Sequence, residues 1–217
     1  MARLVAFDMD GVLVDSISSW VHVHRHFNVS NDSSLERYLR GEIDDLEFIR
    51  SDIRLWTSKE PGITAKRIGE LLSDVPLMPG AKQSIAGLRE LGFKTAIVSA
   101  GIDILSKRVA KELGMDLELA NGLALDGDGR LSGEGILRVR LMDKGDAVTM
   151  AGNLTGASKK DIISIGNSRY DVSMFERSGF GIAFCPSDDE VRKKADAVVE
   201  HKDLREVLEV IGKRACR

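Results

Sequence analysis

The chain has few aromatic residues and no excess of positive charge. Aromatic residues make up 5% of its 217 residues, and the formal net charge is −3 at pH 7. A protein that binds nucleic acid needs a basic surface and usually aromatic side chains that stack on bases, so nucleic acid is not expected to be the main partner. No run approaches the roughly 20 apolar residues that a membrane-spanning helix requires, so no membrane partner is expected either.

Cysteine is also scarce. Cys185 and Cys216 lie far apart in the sequence, which is too few for a disulfide framework and does not match the spacing of a metal-binding pair. The first residues lead directly into an apolar segment, without the basic and apolar regions of a secretory leader. The cytoplasm is therefore the expected compartment.

What the sequence does contain is an alternation of short apolar runs and helical segments. The runs are LVAF, TAIVSA, IISIG, GIAF and AVVE, at residues 4–7, 95–100, 162–166, 181–184 and 197–200. Apolar runs that are continuous rather than alternating are typical of parallel strands covered on both faces. The helical segments between them often end at glycine, as helices commonly do. The chain is therefore predicted to have an α/β fold with a Rossmann-like, doubly wound core.

Two segments depart from this alternation. Residues 16–75 are helical in pattern and far longer than an ordinary crossover, which predicts an inserted helical cap between two parts of the core, residues 1–15 and 76–217. Trp20 and Trp56 lie in this insert and are expected to pack its own core rather than close over a site. Residues 117–135 have two extended pieces around DGDG, which predicts a β-hairpin because Asp-Gly suits tight turns.

Polar residues follow the predicted strands at their carboxyl ends, where ligands bind in open parallel sheets. These residues, together with a lysine ahead of a later helix, are Asp8, Asp10, Ser99, Ala100, Lys144, Asn167 and Asp171. Two neighbouring carboxylates repel each other and favour a bound cation, and Mg²⁺ prefers oxygen ligands together with phosphate. The lysine, the hydroxyl and backbone N–H groups at a helix N-terminus suit a phosphate group. The set indicates phosphoryl transfer.

Four motifs carry a resemblance to a known family. They are DMDGVLVD, IVSAG, DKGDAV and IGNSRYDVSMF, in this order along the chain. With these motifs the chain resembles the haloacid dehalogenase superfamily of phosphohydrolases, and the phosphoserine phosphatase branch in particular. The segments ANGLALDGDGRLSGEG and GIAFCPSDDEVRKKADAVVE are similar to the same branch, so the likeness covers nearly all of the core and less of the cap.

The resemblance implies Mg²⁺-dependent hydrolysis of a small phosphate ester through an aspartyl-phosphate intermediate. Asp8 would be the nucleophile that attacks phosphorus. Asp10 would act as the general acid that protonates the departing alcohol, and then as the general base for water. Ser99, Ala100 and Lys144 would bind the phosphate.

The resemblance also implies a Mg²⁺ site. Its ligands would be Asp8, the backbone carbonyl of Asp10 and Asn167, with Asp171 contributing. Members of the superfamily usually have an aspartate at position 167, whereas this chain has an amide. An amide oxygen binds Mg²⁺ without adding negative charge, so the affinity for Mg²⁺ is expected to be weaker than in relatives with aspartate.

The residues expected to contact the substrate depart from the branch as well. Ile17 occupies the position where phosphoserine phosphatases have a glutamate for the substrate amine, and Asp52 aligns with their arginine for the substrate carboxylate. Arg50 and Arg54 stand on either side of Asp52 and are the candidates for that second role. The reaction type is therefore expected to carry over, but not phosphoserine as the substrate.

Two other functions stay open from the sequence. A phosphotransferase would pass the phosphoryl group from Asp8 to a second alcohol instead of water. A non-catalytic relative would bind a phosphorylated ligand without turning it over. Only Asn167 favours the non-catalytic alternative. The residues that argue against it are Asp8, Asp10, Ser99 and Lys144. Nothing in the sequence indicates an oligomeric state.

Overall fold

The computed structural model describes residues 3–215, in which Cys185 forms no disulfide, and Cys216 lies outside the described residues. The strands are β1 (Arg3–Phe7), β2 (Phe93–Ile102), β3 (Leu117–Leu125), β4 (Leu131–Ile136), β5 (Ile162–Gly166), β6 (Phe180–Phe184) and β7 (Ala197–Val199). They form one sheet in the order β4-β3-β2-β1-β5-β6-β7. The β3–β4 pair is antiparallel and the other neighbouring pairs are parallel. The predicted α/β fold with a mainly parallel sheet is confirmed.

The helices lie before, between and after these strands. They are α1 (Ser19–Phe27), α2 (Asp32–Leu39), α3 (Asp45–Lys59), α4 (Ala65–Leu71), α5 (Ala81–Glu90), α6 (Asp103–Leu113), α7 (Gly145–Thr155), α8 (Val172–Glu176), α9 (Asp189–Lys194) and α10 (Arg205–Ala215). Helices α1–α4 fall within the predicted cap at residues 16–75, whose status as a separate domain stays a prediction. Across residues 3–215 no helix is long and apolar enough to cross a membrane.

Strand β1 runs through the middle of the sheet. Its residues Leu4 to Phe7 are fully buried, and Phe7 lies opposite Ile97 of β2 on one side and Ile165 of β5 on the other. A strand with both faces covered needs apolar residues throughout, which is the pattern seen in the sequence. The chain goes from β1 to β2 on one side and returns later to β5 on the other, so a crevice opens between the carboxyl ends of β1 and β5.

The cap helices begin at capping side chains and enclose a small core. Ser18, Asp44 and Thr64 each accept a hydrogen bond from a backbone N–H three residues later. Caps of this kind stabilise a helix by about 1 kcal/mol. Ile53 and Trp56 of α3 are fully buried beneath the other helices. The first turn of each of these helices is therefore specified locally, and their packing is specified by the apolar faces.

The hairpin formed by β3 and β4 holds the cap against the sheet. The N–H of Leu131 donates to the carbonyl of Ile63 at 2.9 Å, and the N–H of Ala65 donates to the carbonyl of Gly129 at 3.1 Å. The hairpin is the one predicted at residues 117–135, with its turn at the DGDG segment. Because β3 also pairs with β2, the hairpin extends the main sheet and places its tip under the cap.

Candidate active site

Asp8 and Asp10 lie at the carboxyl end of β1, where the chain turns sharply. The turn passes through Gly11, whose φ of 77° lies in the left-handed region that favours glycine. A Cβ at Gly11 would also collide with the side-chain amide of Asn167. The absence of a side chain at Gly11 therefore lets the segment after β5 approach the segment after β1.

Lys144 joins two buried carboxylates at this edge of the sheet. Its Nζ lies 3.0 Å from Oδ1 of Asp8 and 2.7 Å from Oδ1 of Asp171. Burial by itself would lower the pKa of Lys144, but the carboxylates of Asp171 and Asp8 raise that pKa above its ordinary value. The lysine therefore keeps its positive charge, and one positive group faces two carboxylates.

Asp8 is held through one of its two oxygens. Its Oδ1 accepts the N–H of Met9 at 2.8 Å in addition to the contact with Lys144, whereas no described residue donates a hydrogen bond to Oδ2. Burial raises the pKa of Asp8 above its ordinary value, and the charge of Lys144 opposes that rise. Oδ2 is thus the oxygen of Asp8 that is available to react or to bind a cation.

Asp171 is fully buried and has protein partners at both oxygens. Its Oδ2 accepts the N–H groups of Asn167 and Ser168 at 2.9 and 3.0 Å, and its Oδ1 accepts from Lys144 at 2.7 Å. To bind Mg²⁺ directly, Asp171 would have to give up one of these partners. The geometry fits a residue that positions Lys144, and the metal role expected for Asp171 stays a prediction.

The end of β2 contributes Ser99 and Ala100. Ser99 is buried, and its Oγ accepts the N–H of Gly101 at 3.1 Å, which leaves its own proton free to be donated. The carbonyl of Ala100 accepts Nε1–H of Trp20 at 3.0 Å and Nδ2–H of Asn121 at 3.2 Å. These two side chains orient the peptide whose N–H meets Ser99, and so they help to fix the hydroxyl.

Asp10 lies beside the end of β2 rather than beside the lysine. Its Oδ2 accepts the hydroxyl of Ser19 at 2.9 Å, and its Oδ1 is buried without a hydrogen-bond partner in the described part of the chain. Burial raises the pKa of Asp10 above its ordinary value, and the hydrogen bonds from Ser19 oppose that rise. A buried polar atom without a partner costs folding free energy. The open Oδ1 therefore indicates that a ligand brings the missing hydrogen-bond partner.

The structure therefore brings the four predicted segments together. Lys144 contacts Asp8, the side chain of Asn167 abuts Gly11, and a Cβ on Gly101 would lie 2.7 Å from Oδ2 of Asp10. These contacts join the residues that follow β1, β2 and β5 and the residue that precedes α7. The expected meeting of these segments at one edge of the sheet is observed.

The candidate substrate residues lie outside this meeting point. Nε of Arg50 is 2.7 Å from Oε2 of Glu134, and Nη2 of Arg54 is 2.5 Å from Oε1 of Glu47. Within residues 3–215, no hydrogen bond or ion pair joins either arginine to Asp8, Asp10 or Lys144. Their role in binding a substrate carboxylate stays a prediction.

Asp52 faces the interior of the cap. Its Oδ1 lies 2.8 Å from Nε2 of His24, whose Nδ1 accepts the indole N–H of Trp56 at 2.8 Å. Trp56 stacks on Trp20 with 5.5 Å between ring centroids. Both tryptophans therefore pack within the cap, as predicted, and Trp20 in addition reaches the end of β2 through its indole N–H.

Three residues at these contacts were not identified from the sequence, namely Ser19, His24 and Asn121. Ser19 accepts the N–H of Ile102, which is 83 residues away. Each of the three makes at least one hydrogen bond with a segment remote in sequence, so no local pattern distinguishes it from a surface serine, histidine or asparagine. The signal that could have drawn attention to Ser19 is its position beside Ser18, the capping residue of α1.

The structure describes no group of three or more His, Cys, Asp and Glu side chains in residues 3–215 that could hold a metal ion. The expected Mg²⁺ ligands do not form such a group, because one is the backbone carbonyl of Asp10 and another is the amide of Asn167. With the carboxylate of Asp8 they make a set of oxygen donors only, which suits Mg²⁺.

A family model described as haloacid dehalogenase-like hydrolase matches residues 5–176. The chain belongs to the haloacid dehalogenase-like hydrolase family. The match includes all four motifs and the cap between the first two. The predicted family is therefore confirmed, and the site just described lies within the matched residues.

Curated relatives extend the likeness to the phosphoserine phosphatase branch. A phosphoserine phosphatase of Archaeoglobus fulgidus is 30% identical over 207 residues, which cover 93% of this chain and 58% of the relative. The chain thus spans little more than half the length of that relative. A phosphoserine phosphatase of Methanocaldococcus jannaschii is 28% identical over 216 residues, covering 96% of this chain and 97% of the relative.

Solved structures agree with the curated relatives. A phospho-aspartyl intermediate analogue of phosphoserine phosphatase superposes with a TM-score of 0.79 at 26% identity, covering 96% of this chain and 98% of the other. A substrate-bound phosphoserine phosphatase complex gives a TM-score of 0.80 at 25% identity, covering 97% and 98%. The prediction of a phosphoserine phosphatase-like hydrolase of this family is confirmed.

Proposed function

We propose that this protein hydrolyses the phosphate monoester of a small metabolite, with Asp8 as the nucleophile. The observation that carries the proposal is the buried pairing of Asp8 with Lys144 next to Asp10, whose Oδ1 has no partner among the described residues. A held nucleophile, a fixed positive charge and a carboxyl group with an open oxygen are the parts that this reaction needs.

In the first step, Oδ2 of Asp8 attacks phosphorus, and the bond from phosphorus to the alcohol oxygen breaks. The electron pair of that bond stays on the alcohol oxygen, which takes a proton from Asp10. Lys144 and the hydroxyl of Ser99 donate to the phosphoryl oxygens and offset their charge. Because Asp171 already holds the lysine, little reorganisation is needed as charge develops.

In the second step, Asp10 is a carboxylate and accepts a proton from water as the water attacks the aspartyl-phosphate. The bond between phosphorus and Oδ2 of Asp8 breaks, and its electron pair returns to the carboxylate. Inorganic phosphate leaves, and Asp10 carries a proton for the next turnover. The same carboxyl group therefore serves both steps with opposite proton transfers.

Asp8, the carbonyl of Asp10 and Asn167 would hold Mg²⁺. The fit rests on the chemistry of this donor set, because all three groups offer oxygen, which Mg²⁺ prefers. A bound Mg²⁺ supplies positive charge that stabilises the phosphoryl oxygens, where a single lysine faces two carboxylates.

The alcohol part of the substrate is proposed to differ from serine. Ile17 carries no charge for an amine, and the residue is 77% exposed. Asp52 is turned into the cap against His24, so this position offers no positive charge to the carboxylate of an amino acid. A small phosphate ester without an amine is therefore the expected substrate class.

Steady-state kinetics test this proposal directly. We expect kcat/KM for O-phospho-L-serine to be no higher than that for the best amine-free ester among 2-phosphoglycolate, the glycerol phosphates and similar small compounds. A kcat/KM for phosphoserine above that for every amine-free ester would contradict the proposed substrate class, and a site built to hydrogen-bond the amine would give a preference of about 10⁴-fold. Product analysis with added glycerol separates hydrolysis from transfer, and absence of turnover with every ester would favour the non-catalytic alternative.

The arginines are tested with the same substrates. If Arg50 or Arg54 binds a substrate carboxylate, it must leave Glu134 or Glu47 to do so. The corresponding alanine variant then raises KM for 2-phosphoglycolate but not for glycerol phosphate. If the alanine variants leave KM unchanged for both esters, the two arginines belong to surface ion pairs, which contribute little to stability.

A further inference from the structure

Ser19 is the first residue of α1 and is fully buried between the cap and the core. Its Oγ accepts the N–H of Ile102 at 3.0 Å and lies 2.9 Å from Oδ2 of Asp10. A serine hydroxyl has one proton, and the hydrogen bond from Ile102 does not use it. The proton of Ser19 therefore points to Oδ2 of Asp10, and the backbone of β2 sets this direction.

The surroundings confine this pair of side chains. A Cβ on Gly101 would lie 2.7 Å from Oδ2 of Asp10 and 2.7 Å from Oγ of Ser19, closer than Cβ atoms approach other groups. The end of β2 thus has no room for a side chain where the pair lies against it. Trp20, the next residue of α1, holds the helix in place through its hydrogen bond to the carbonyl of Ala100.

We propose that Ser19 is a positioning residue that directs the transferable proton of Asp10 onto Oδ1. The inference rests on the proposed hydrolysis of a phosphate monoester. When Asp10 is protonated, its Oδ2 accepts from Ser19 and therefore does not carry the proton. The proton resides on Oδ1, the buried oxygen that has no other partner among the described residues.

The proton transfer accompanies the first step of the reaction. Oδ2 of Asp8 forms a bond to phosphorus while the bond from phosphorus to the alcohol oxygen breaks. The electron pair of the broken bond stays on the alcohol oxygen, and the proton on Oδ1 of Asp10 moves to it. Ser19 keeps its own proton and donates to a carboxylate afterwards, which is a stronger hydrogen bond than donation to a neutral acid. Ser19 therefore favours the transfer.

Because Ser19 belongs to the cap, this alignment depends on the docking of α1 against β2. Undocking of the helix separates Ser19 from Ile102 and Asp10 and leaves the carboxyl free to rotate. Docking of the cap thus aligns the carboxyl group of Asp10 as the general acid, and it also covers the site.

The experiment compares Ser19→Ala with Ser18→Ala, which weakens the cap of the same helix but does not touch Asp10. kcat/KM is measured with the best alkyl phosphate, whose alcohol needs a proton, and with acetyl phosphate and 4-nitrophenyl phosphate, whose leaving groups depart without one. We expect Ser19→Ala to lower kcat/KM for the alkyl phosphate by about 10- to 100-fold, the scale of a hydrogen bond to a charged group. The other two substrates are expected to change by less than about threefold, because no proton transfer assists their departure.

Three outcomes would count against the inference. An equal loss with all substrates would show a structural effect, and no loss with the alkyl phosphate would show that Ser19 does not position the acid. A wild-type protein that hydrolyses none of these compounds would overturn the proposed function, and the inference with it. If Ser19→Ala does not fold by circular dichroism, Ser19→Cys replaces it, since this variant keeps the shape with only a weak donor and is expected to show the same selective loss.

Discussion

Two buried polar clusters occur in this chain, one at the strand ends of the core and one inside the cap. The core cluster consists of Asp8, Lys144 and Asp171, and the cap cluster consists of Asp52, His24 and Trp56. In both clusters a central side chain bridges two partners, at 2.7 and 3.0 Å in the core and at 2.8 Å twice in the cap. From their distances alone the two clusters would be judged alike.

The two clusters differ in whether a buried polar atom without a hydrogen-bond partner lies beside them. The core cluster lies in the same site as Oδ1 of Asp10, which is buried and has no hydrogen-bond partner in the described part of the chain. In the cap cluster both ring nitrogens of His24 and the indole N–H of Trp56 have partners. A buried cluster with open positions is prepared for a ligand, whereas one whose nitrogens are satisfied serves packing and specificity of the fold.

The largest effect is expected from Asp8→Asn in the core cluster. The amide cannot attack phosphorus, so kcat should fall by roughly 10⁴-fold or more, as when a covalent nucleophile is removed from other enzymes. The matched control is Asp146→Asn, whose side chain is 66% exposed, and it should leave kcat unchanged. Retained turnover in folded Asp8→Asn would remove the assignment of the nucleophile.

Asp171→Asn tests whether the second carboxylate serves the lysine or the metal. The amide oxygen can still accept the N–H groups of Asn167 and Ser168, but Lys144 loses a charged partner. We expect kcat to fall by about 10²- to 10³-fold, as when a group that stabilises transition-state charge is lost. The Mg²⁺ concentration for half-maximal activity should not change. If the Mg²⁺ concentration for half-maximal activity rises while kcat at saturating Mg²⁺ is unchanged, Asp171 is a metal ligand, as expected from the sequence.

His24→Ala tests the cap cluster. The variant leaves the indole N–H of Trp56 without its acceptor and leaves Asp52 with Asn31 as its described partner, so the free energy of unfolding should fall by about 3 kcal/mol, the cost of breaking buried polar pairs. Urea denaturation measures this change, and the control His201→Ala removes a histidine whose side chain is 79% exposed. If kcat fell in the folded variant as far as in Asp171→Asn, the two clusters would not differ as described.

The smallest effect is expected from Asn167→Asp. The new carboxylate adds negative charge to the proposed oxygen donors, so the Mg²⁺ concentration for half-maximal activity should fall by about tenfold, since ligand charge tunes the affinity of such cations. Calorimetric titration measures the Kd for Mg²⁺ without turnover, and this Kd should fall as well. Asn153→Asp, on the exposed side of α7, is the control for added charge. An unchanged Mg²⁺ requirement would remove residue 167 from the site.

Much of the core could be predicted because its signals are local. The run at residues 4–7 has no polar residue, and Asp8 and Asp10 follow it directly, so both the strand and the acidic end were readable. Strand β2 was predicted at residues 95–100 but extends over Phe93–Ile102. Lys94 interrupts the apolar pattern there, yet the strand continues because Phe93 pairs with Arg3 of β1.

Less of the cap could be predicted from the sequence. Its helices were expected from their pattern, but the alignment placed Asp52 at a substrate position, whereas the structure turns it inward to His24. Arg50 and Arg54 share α3 with Asp52 and face glutamates instead. Which face of a helix meets the substrate depends on how the helix docks, and docking is decided by contacts with the hairpin that are remote in sequence.

The amino-acid sequence alone determined the order of strands and helices, the acidic end of β1 and the motifs that mark the reaction. These features follow from hydrophobic periodicity and turn preferences, which act over a few neighbouring residues. Only the tertiary structure decided that Asp171 holds Lys144, that Asp52 lies inside the cap and that Ser19 leaves one oxygen of Asp10 open. Those pairings depend on hydrogen bonds of about 3 Å between distant segments, and they exist only once the whole sheet and cap have packed.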